Sequence, residues 1–130
     1  YKVPPNLAEA HKWDLMAAEA GDAAAMRSVG DVFRDEENFE EAMGWYFKAA
    51  MLGHSGGAAG LGYLANLAGE YAESYVWFSI AVVSAEFEGY GTGEDIFTNM
   101  RNEAQEKLTP EELDQAQQRA SELYEKIVVK

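Results

Sequence analysis

The sequence predicts an all-α fold, an α–α superhelix (solenoid) of about two and a half helix–turn–helix repeats, each of about 32 residues, closed by a C-terminal helical hairpin. Three observations predict it. The tryptophans Trp13, Trp45 and Trp77 recur at a fixed interval of about 32 residues, and the same offset relates Leu7, Phe39 and Tyr71, then Glu9, Glu41 and Glu73, then Ala17, Ala49 and Ala81. It also pairs Ala10 with Ala42, Gly21 with Gly53, Gly30 with Gly62 and Asn6 with Asn38, and one fixed period of this length marks stacked helical units. Within a unit the apolar residues recur at helical spacing, first Met26, Val29, Gly30 and Phe33, then Phe39, Ala42, Tyr46, Ala49 and Ala50. Start and stop signals bracket these faces. Asn38 is placed to cap a helix, with Glu41 reaching back to the cap's own amide, and Asn6 with Glu9 repeats the pair. Gly53 follows where a left-handed residue stops a helix.

Helices are therefore expected over roughly 6–20, 22–34, 38–52, 55–68, 70–84, 94–108 and 110–128. The chain reads as one domain over 1–130, with repeats over 6–85, a glycine-rich loop over 86–93 and capping helices over 94–130. The run from Tyr75 to Val83 has the composition of a buried strand. The register nevertheless places it on the helix that carries Trp45 one unit earlier, so a helix buried on both sides is expected. Beyond the loop, Phe97, Met100, Ala104 and Leu108 share one helical face. Thr109, Pro110 and Glu112 form a cap, first-turn proline and capping-box acid. The final helix then offers Leu113, Ala116, Ala120, Leu123 and Ile127 to close the stack.

Charge narrows the partners. Ten Lys and Arg against 23 Asp and Glu give a net charge of −13, which repels phosphate and makes nucleic acid and anionic membranes poor candidate partners. A protein or peptide with a basic surface fits better. No apolar run approaches the roughly 20 residues of a bilayer span, so membrane insertion is not expected. The absence of cysteine excludes disulfides and thiolate metal sites, and two isolated histidines, His11 and His54, make no zinc set. No cofactor or metal is expected. No signal peptide is visible, and a chain opening at Tyr1 reads as a mature or trimmed form.

Trp45-Tyr46-Phe47-Lys48-Ala49-Ala50 followed by Gly53-His54 resembles the Sel-like repeat pattern, in which a Trp-Tyr pair precedes Lys-Ala-Ala and a Gly-His turn. Val29-Gly30 with Phe33, then Ala42, is similar to the tetratricopeptide pattern, and Leu108-Thr109-Pro110-Glu111-Glu112-Leu113 with Ala116-Gln117 resembles the ending of many bacterial members. The likeness covers nearly the whole chain. It departs from the Sel-like pattern in its short connection, Asp35-Glu36-Glu37, and in an incomplete third unit. The resemblance implies a right-handed superhelix and a scaffold or adaptor that binds a protein or peptide in a concave groove. The ending it shares with bacterial members suggests a bacterial setting. A soluble protein is expected, and the compartment is not fixed by the sequence, the periplasm or exterior being favoured over the cytoplasm. The second reading is an immunity or inhibitor protein that neutralises a basic toxin or enzyme.

The chemical motifs are weaker than they look. Gly53-His54-Ser55-Gly56-Gly57 matches the nucleophile elbow of lipases and esterases, but that motif requires a strand-to-helix turn and a histidine after the serine. Here a helix precedes it, and both histidines lie before Ser55. The glycines from Gly53 to Gly62 lack the Lys-Ser or Lys-Thr of a phosphate loop and read as close helix crossings. The acids Asp31, Asp35, Glu36, Glu37, Glu40 and Glu41, with Arg34 among them, read as a solvated face. Register places all three tryptophans in the core, so Trp45→Ala is expected to cost about 3–5 kcal/mol. No catalytic residue is assigned.

The candidate binding strip is the exposed side of the first helix in each pair. Arg27, Asp31 and Arg34 lie on one such helix, and Ala59, Tyr63 and Asn66 on the next, so the partner-binding residues are expected to be Arg27, Asp31, Arg34, Tyr63 and Asn66. The N-terminal helix is the second of a pair. Without a first helix over it, Leu7, Ala10 and Trp13 should form an exposed apolar face, to be covered by a neighbouring chain through self-association or by a lost N-terminal segment.

Overall fold

Helix follows helix along the chain, and the computed structural model describes residues 5–89 and 96–128. The described residues form α1 (Pro5–Glu19), α2 (Ala23–Asp35), α3 (Phe39–Met51), α4 (Ser55–Leu67), α5 (Tyr71–Glu88), α6 (Ile96–Gln105) and α7 (Pro110–Val128), with no strand among them. The segment from Tyr75 to Val83 is helical, and most of it is buried, because α5 packs on α4, α6 and α7. Consecutive helices pack against each other through the first six, and α2 also reaches α4.

The stops are local and periodic. Gly21, Glu37, Gly53 and Gly69 all have positive φ, at +105°, 62°, +85° and +77°, and each stands half a repeat after the one before. Each closes its helix with the same two backbone bonds. At Gly53 the amide of His54 returns to the carbonyl of Ala49, and Gly53 N–H to Ala50. The pairs Asp22–Ala17 with Gly21–Ala18, Asn38–Phe33 with Glu37–Arg34, and Glu70–Ala65 with Gly69–Asn66 repeat it. This Schellman closure satisfies carbonyls that a helix end would otherwise leave free. Glu37 takes the left-handed conformation without glycine's freedom, a backbone cost of roughly 1–2 kcal/mol.

Glycine also permits close approach. A Cβ on Gly30 or Gly60 would stand 2.7 Å from the ring of Tyr46, and one on Gly62 would stand 2.7 Å from the ring of Phe78. Gly57 sits so near α3 that a Cβ would meet that of Ala49 at 2.6 Å. The aromatic of one helix thus lies against a bare stretch of its neighbour. Around these contacts Ala42, Tyr46, Ala50, Ala58, Leu61, Leu64, Trp77, Ile80 and Ala81 form one core. Ala18, Ala25, Met26, Val29 and Ala49 form a second. Leu123, Tyr124 and Ile127 of α7 cover the first, while Ala116, with Leu113 and Ala120, meets Tyr75 and Val76. The Thr109 box is present: Glu112 N–H donates to Thr109 Oγ1 at 3.1 Å, and Thr109 N–H to Glu112 Oε1 at 2.9 Å.

Four expectations are corrected. Trp13 is 59% exposed and Trp45 half-buried; of the three tryptophans Trp77 alone, at 8%, belongs to the core. Trp13 lies out because no described helix packs over α1 there: Ala10 is exposed, whereas its register partners Ala42 and Ser74 are 0% and 1% exposed. Among the described residues, Ala10, Trp13 and Met16 of α1 are exposed, as expected for an uncovered face. Asn38 precedes α3 but makes no side-chain cap bond, since its backbone lies at φ −91°, ψ 75° rather than in the extended region a capping side chain needs. α5 continues to Glu88, so the expected loop at Glu86, Phe87 and Glu88 is helix, stopped by left-handed Gly89. α1 begins at Pro5, one residue ahead of Asn6, which is therefore not its cap. The expected contacts of Leu7, the rest of the glycine loop over 90–93 and the helix start at Glu94 lie outside the described residues.

Candidate functional site

The expected strip is only partly a free surface. Arg27 Nε contacts Asp31 Oδ2 at 3.0 Å, Arg34 Nη1 lies 3.5 Å from Asp31 Oδ1, and Tyr46 donates its hydroxyl to the same Oδ1 at 2.5 Å. Asp31 is thus the acceptor that lets a tyrosine with 0% exposure sit between α2 and α4. Burial, reinforced by the hydrogen bond to Asp31, pushes the Tyr46 hydroxyl well above the ordinary tyrosine range. Arg34 also lies over the ring of Tyr63, 5.6 Å from its centre. Arg27, Asp31, Arg34 and Tyr63 are therefore brought together across α2 and α4, but Asp31 and the guanidiniums are occupied in holding the tyrosine. Asn66 follows Tyr63 by three residues on α4 and is half-buried.

A second arrangement, at the start of α4, resembles catalytic chemistry. His54 Nδ1 and Glu88 Oε2 are 3.1 Å apart, next to Ser55. The other oxygen of Glu88 accepts the Ser55 N–H at 3.1 Å. The carboxylate therefore caps α4 from 33 residues away, where the register partner of His54, Asp22, caps α2 itself by accepting from Ala25 N–H. The imidazole does not serve Ser55: its Nε2 is turned to Gly56, where a Cβ would meet it at 3.1 Å. Ser55 is 4% exposed in the first turn of a helix, with no strand before it, so the geometry is that of a helix start. Among the described residues no cluster of three His, Asp or Glu is placed to hold a metal, and no helix is long and apolar enough to cross a membrane.

The feature that sequence reasoning missed lies where the second unit meets the last helix of the first. The start of α3, the end of α4 and the first turns of α5 enclose an open cleft of about 350 Å³. Phe39, Met43, Leu61, Leu64, Leu67 and Trp77 make its apolar walls, and Glu70 and Glu73 stand at it as carboxylates. Phe39, Met43 and Leu67 are 42%, 43% and 59% exposed. Phe47 stands edge-on to Trp77, with ring centres 6.0 Å apart. Arg119 of α7 pairs with Glu73, and this hydrogen bond outweighs the partial burial and raises the guanidinium pKa further above its already high ordinary value.

The signal for the cleft is a set of mismatches in the register. Ala65 stands where the first unit has Phe33, Leu67 where it has Asp35, and Glu70 where it has Asn38. A large ring is replaced by a methyl group, which opens space, and an exposed acid is replaced by an exposed leucine. Phe33 itself packs against both cores. Comparison with protein-family models, with curated proteins and with solved structures finds no match to this chain.

Proposed function

We propose that this chain is a protein-binding module, a superhelical stack of tandem helix pairs of the Sel-like and tetratricopeptide kind that holds a peptide or protein partner and catalyses no reaction. The observation that carries the reading is the solvent-open apolar cleft between α3, α4 and α5, set in a chain of net charge −13. Large hydrophobic side chains left in water beside a preformed depression mark a place where another surface is buried. The helices that form it are fixed by glycine-to-ring contacts and by local stops, so little order has to be imposed on binding. The acidic surface draws a basic partner in by long-range attraction, an effect on the association rate that fades as the Debye length shrinks from about 10 Å at 0.1 M salt to about 3 Å at 1 M.

The test is affinity capture by the purified chain from the cells that make it, mass spectrometry of what is retained, and reconstitution with the purified candidate. A saturable complex whose association slows with salt while its dissociation changes little is the expected result. A chain that reconstitutes with no captured protein, or that turns over an ester or phosphate substrate, would sink the reading.

A further inference from the structure

The cleft between α3, α4 and α5 has a chemistry that specifies its occupant, and this step rests on the protein-binding reading above. The geometry points to a basic amphipathic helix, with a leucine- or phenylalanine-sized side chain seated between Phe39, Leu64 and Trp77 and a Lys or Arg beside it reaching Glu70. The depth decides the anchor. A volume of about 350 Å³ is at the small end for a ligand site, enough for one or two large side chains and too little for a folded element. The walls decide its polarity, since the floor is aliphatic and aromatic and buried in the core cluster through Leu61, Leu64 and Trp77. An apolar knob entering it removes the exposed faces of Phe39, Met43 and Leu67 from water at the same time.

The rim decides the charge. Glu70 and Glu73 are the charged residues lining the cleft; no lysine or arginine lines it. Glu73 already has Arg119, whereas Glu70 is exposed and no ion pair or hydrogen bond of its carboxylate is present among the described residues. An incoming cation next to the anchor meets Glu70, while an incoming acid meets repulsion from the same carboxylate. A helical segment presents an anchor and a flanking cation on one face at a spacing of three or four residues, the separation of neighbouring positions on a helix surface.

The first unit shows what closes such a site, and it supplies the controls. Ala65→Phe restores the ring that Phe33 places in the first unit, and Leu67→Asp restores the acid found there as Asp35. Leu67 is largely exposed, so its replacement keeps the test intact even where the larger ring at position 65 disturbs the fold.

The probes are synthetic peptides of roughly 16 residues, about four helical turns, with leucines three and four apart and lysines elsewhere, and a second set with glutamates in place of lysines. Binding is read by fluorescence anisotropy and by amide chemical shifts of the labelled protein. The expected result is saturable binding of the basic set alone, with shifts gathered at Phe39, Met43, Leu67, Glu70 and Trp77. Either substitution should weaken it at least about tenfold while the thermal midpoint of Leu67→Asp stays at the wild-type value. Shifts gathered instead at Arg27, Asp31 and Tyr63, equal binding by the acidic set, undiminished binding by both variants, or no saturation below about 1 mM would each overturn the cleft as the site. A partner reconstituted by capture that binds both variants as tightly as wild type would likewise remove the cleft and leave the protein-binding reading standing.

Discussion

The unit made by α2 and α3 and the unit made by α4 and α5 share one register and differ in almost every exposed choice. Both lay an aromatic ring of the second helix against a glycine of the first, Tyr46 on Gly30 and Phe78 on Gly62. Both stop their first helix at a left-handed residue, Glu37 in one and Gly69 in the other. Around that shared frame the first unit is polar: Asp31, Arg27 and Arg34 surround the Tyr46 hydroxyl, and Asp22 caps its own helix. In the second unit Phe78 has no hydroxyl to satisfy, Tyr63 replaces Asp31 in register, and the helix cap comes from distant Glu88. Positions that hold backbones together are repeated because sterics leave few solutions at such close range. Positions that face water are free to diverge.

The widest expected split is among the tryptophans. Trp77→Ala should cost about 3–5 kcal/mol, Trp45→Ala about 1–2, and Trp13→Ala less than about 0.5, following their burial. Trp45 retains a contribution because Lys48 Nζ lies 4.6 Å from its ring centre. Urea melts of the three variants measure the series, and equal costs would mean that the units are packed alike. Next come the glycines. Gly60→Ala should destabilise by about 2–3 kcal/mol and Gly62→Ala by about 1–2, since Tyr46 is gripped by Gly30 and Gly60 together. A reversed order would show that Tyr46 yields more easily than Phe78.

Tyr46→Phe brings the first unit to the second unit's chemistry and should cost about 1.5 kcal/mol near pH 8, the worth of a hydrogen bond to a carboxylate. Above about pH 10 the unfolded chain ionises this tyrosine while the folded chain keeps it protonated, so wild-type stability falls with rising pH. The gap between wild type and variant should therefore narrow across that range, and a constant gap in paired denaturant titrations would contradict the assignment. The smallest effect is at the turns. Glu37→Gly should stabilise by up to about 1 kcal/mol and Gly69→Ala should cost about as much, because both positions have positive φ. Matching melting curves for both variants would mean that the backbone strain is relieved elsewhere.

What the sequence disclosed followed from repetition. Helix order, most boundaries and the helical state of the segment from Tyr75 to Val83 were legible because the repeat register overrode local strand propensity. The Thr109 box was legible because both partners are close in the chain. The exposure of Trp13 was legible from the uncovered face of its helix and not from the register, which assigns it the core; the half-burial of Trp45 was not legible from either. Asn38 has a capping side chain, but the turn geometry that decides its use is not written in its identity. Of the expected site residues, Arg27, Asp31, Arg34 and Tyr63 do cluster, but Asp31 is committed to Tyr46 from a different helix, a link that spans 15 residues and has no local signature. The cleft was written in the departures from the repeat, at Ala65 and Leu67, where agreement between copies carries no information.

The rhythm of left-handed stops also governs how the chain reaches this state. Gly21, Glu37, Gly53 and Gly69 each end a helix with bonds between residues close by in the chain, and most tertiary contacts join helices that are neighbours in sequence. Chains organised in this way have low contact order and fold on the microsecond to millisecond scale, because little loop-closure entropy precedes each gain in contact. The few long reaches, Glu88 to the amide of Ser55 and Arg119 to Glu73, close over 33 and 46 residues. Contacts that close such long loops are expected to form late, so replacing either residue should quicken unfolding and leave the refolding rate almost unchanged.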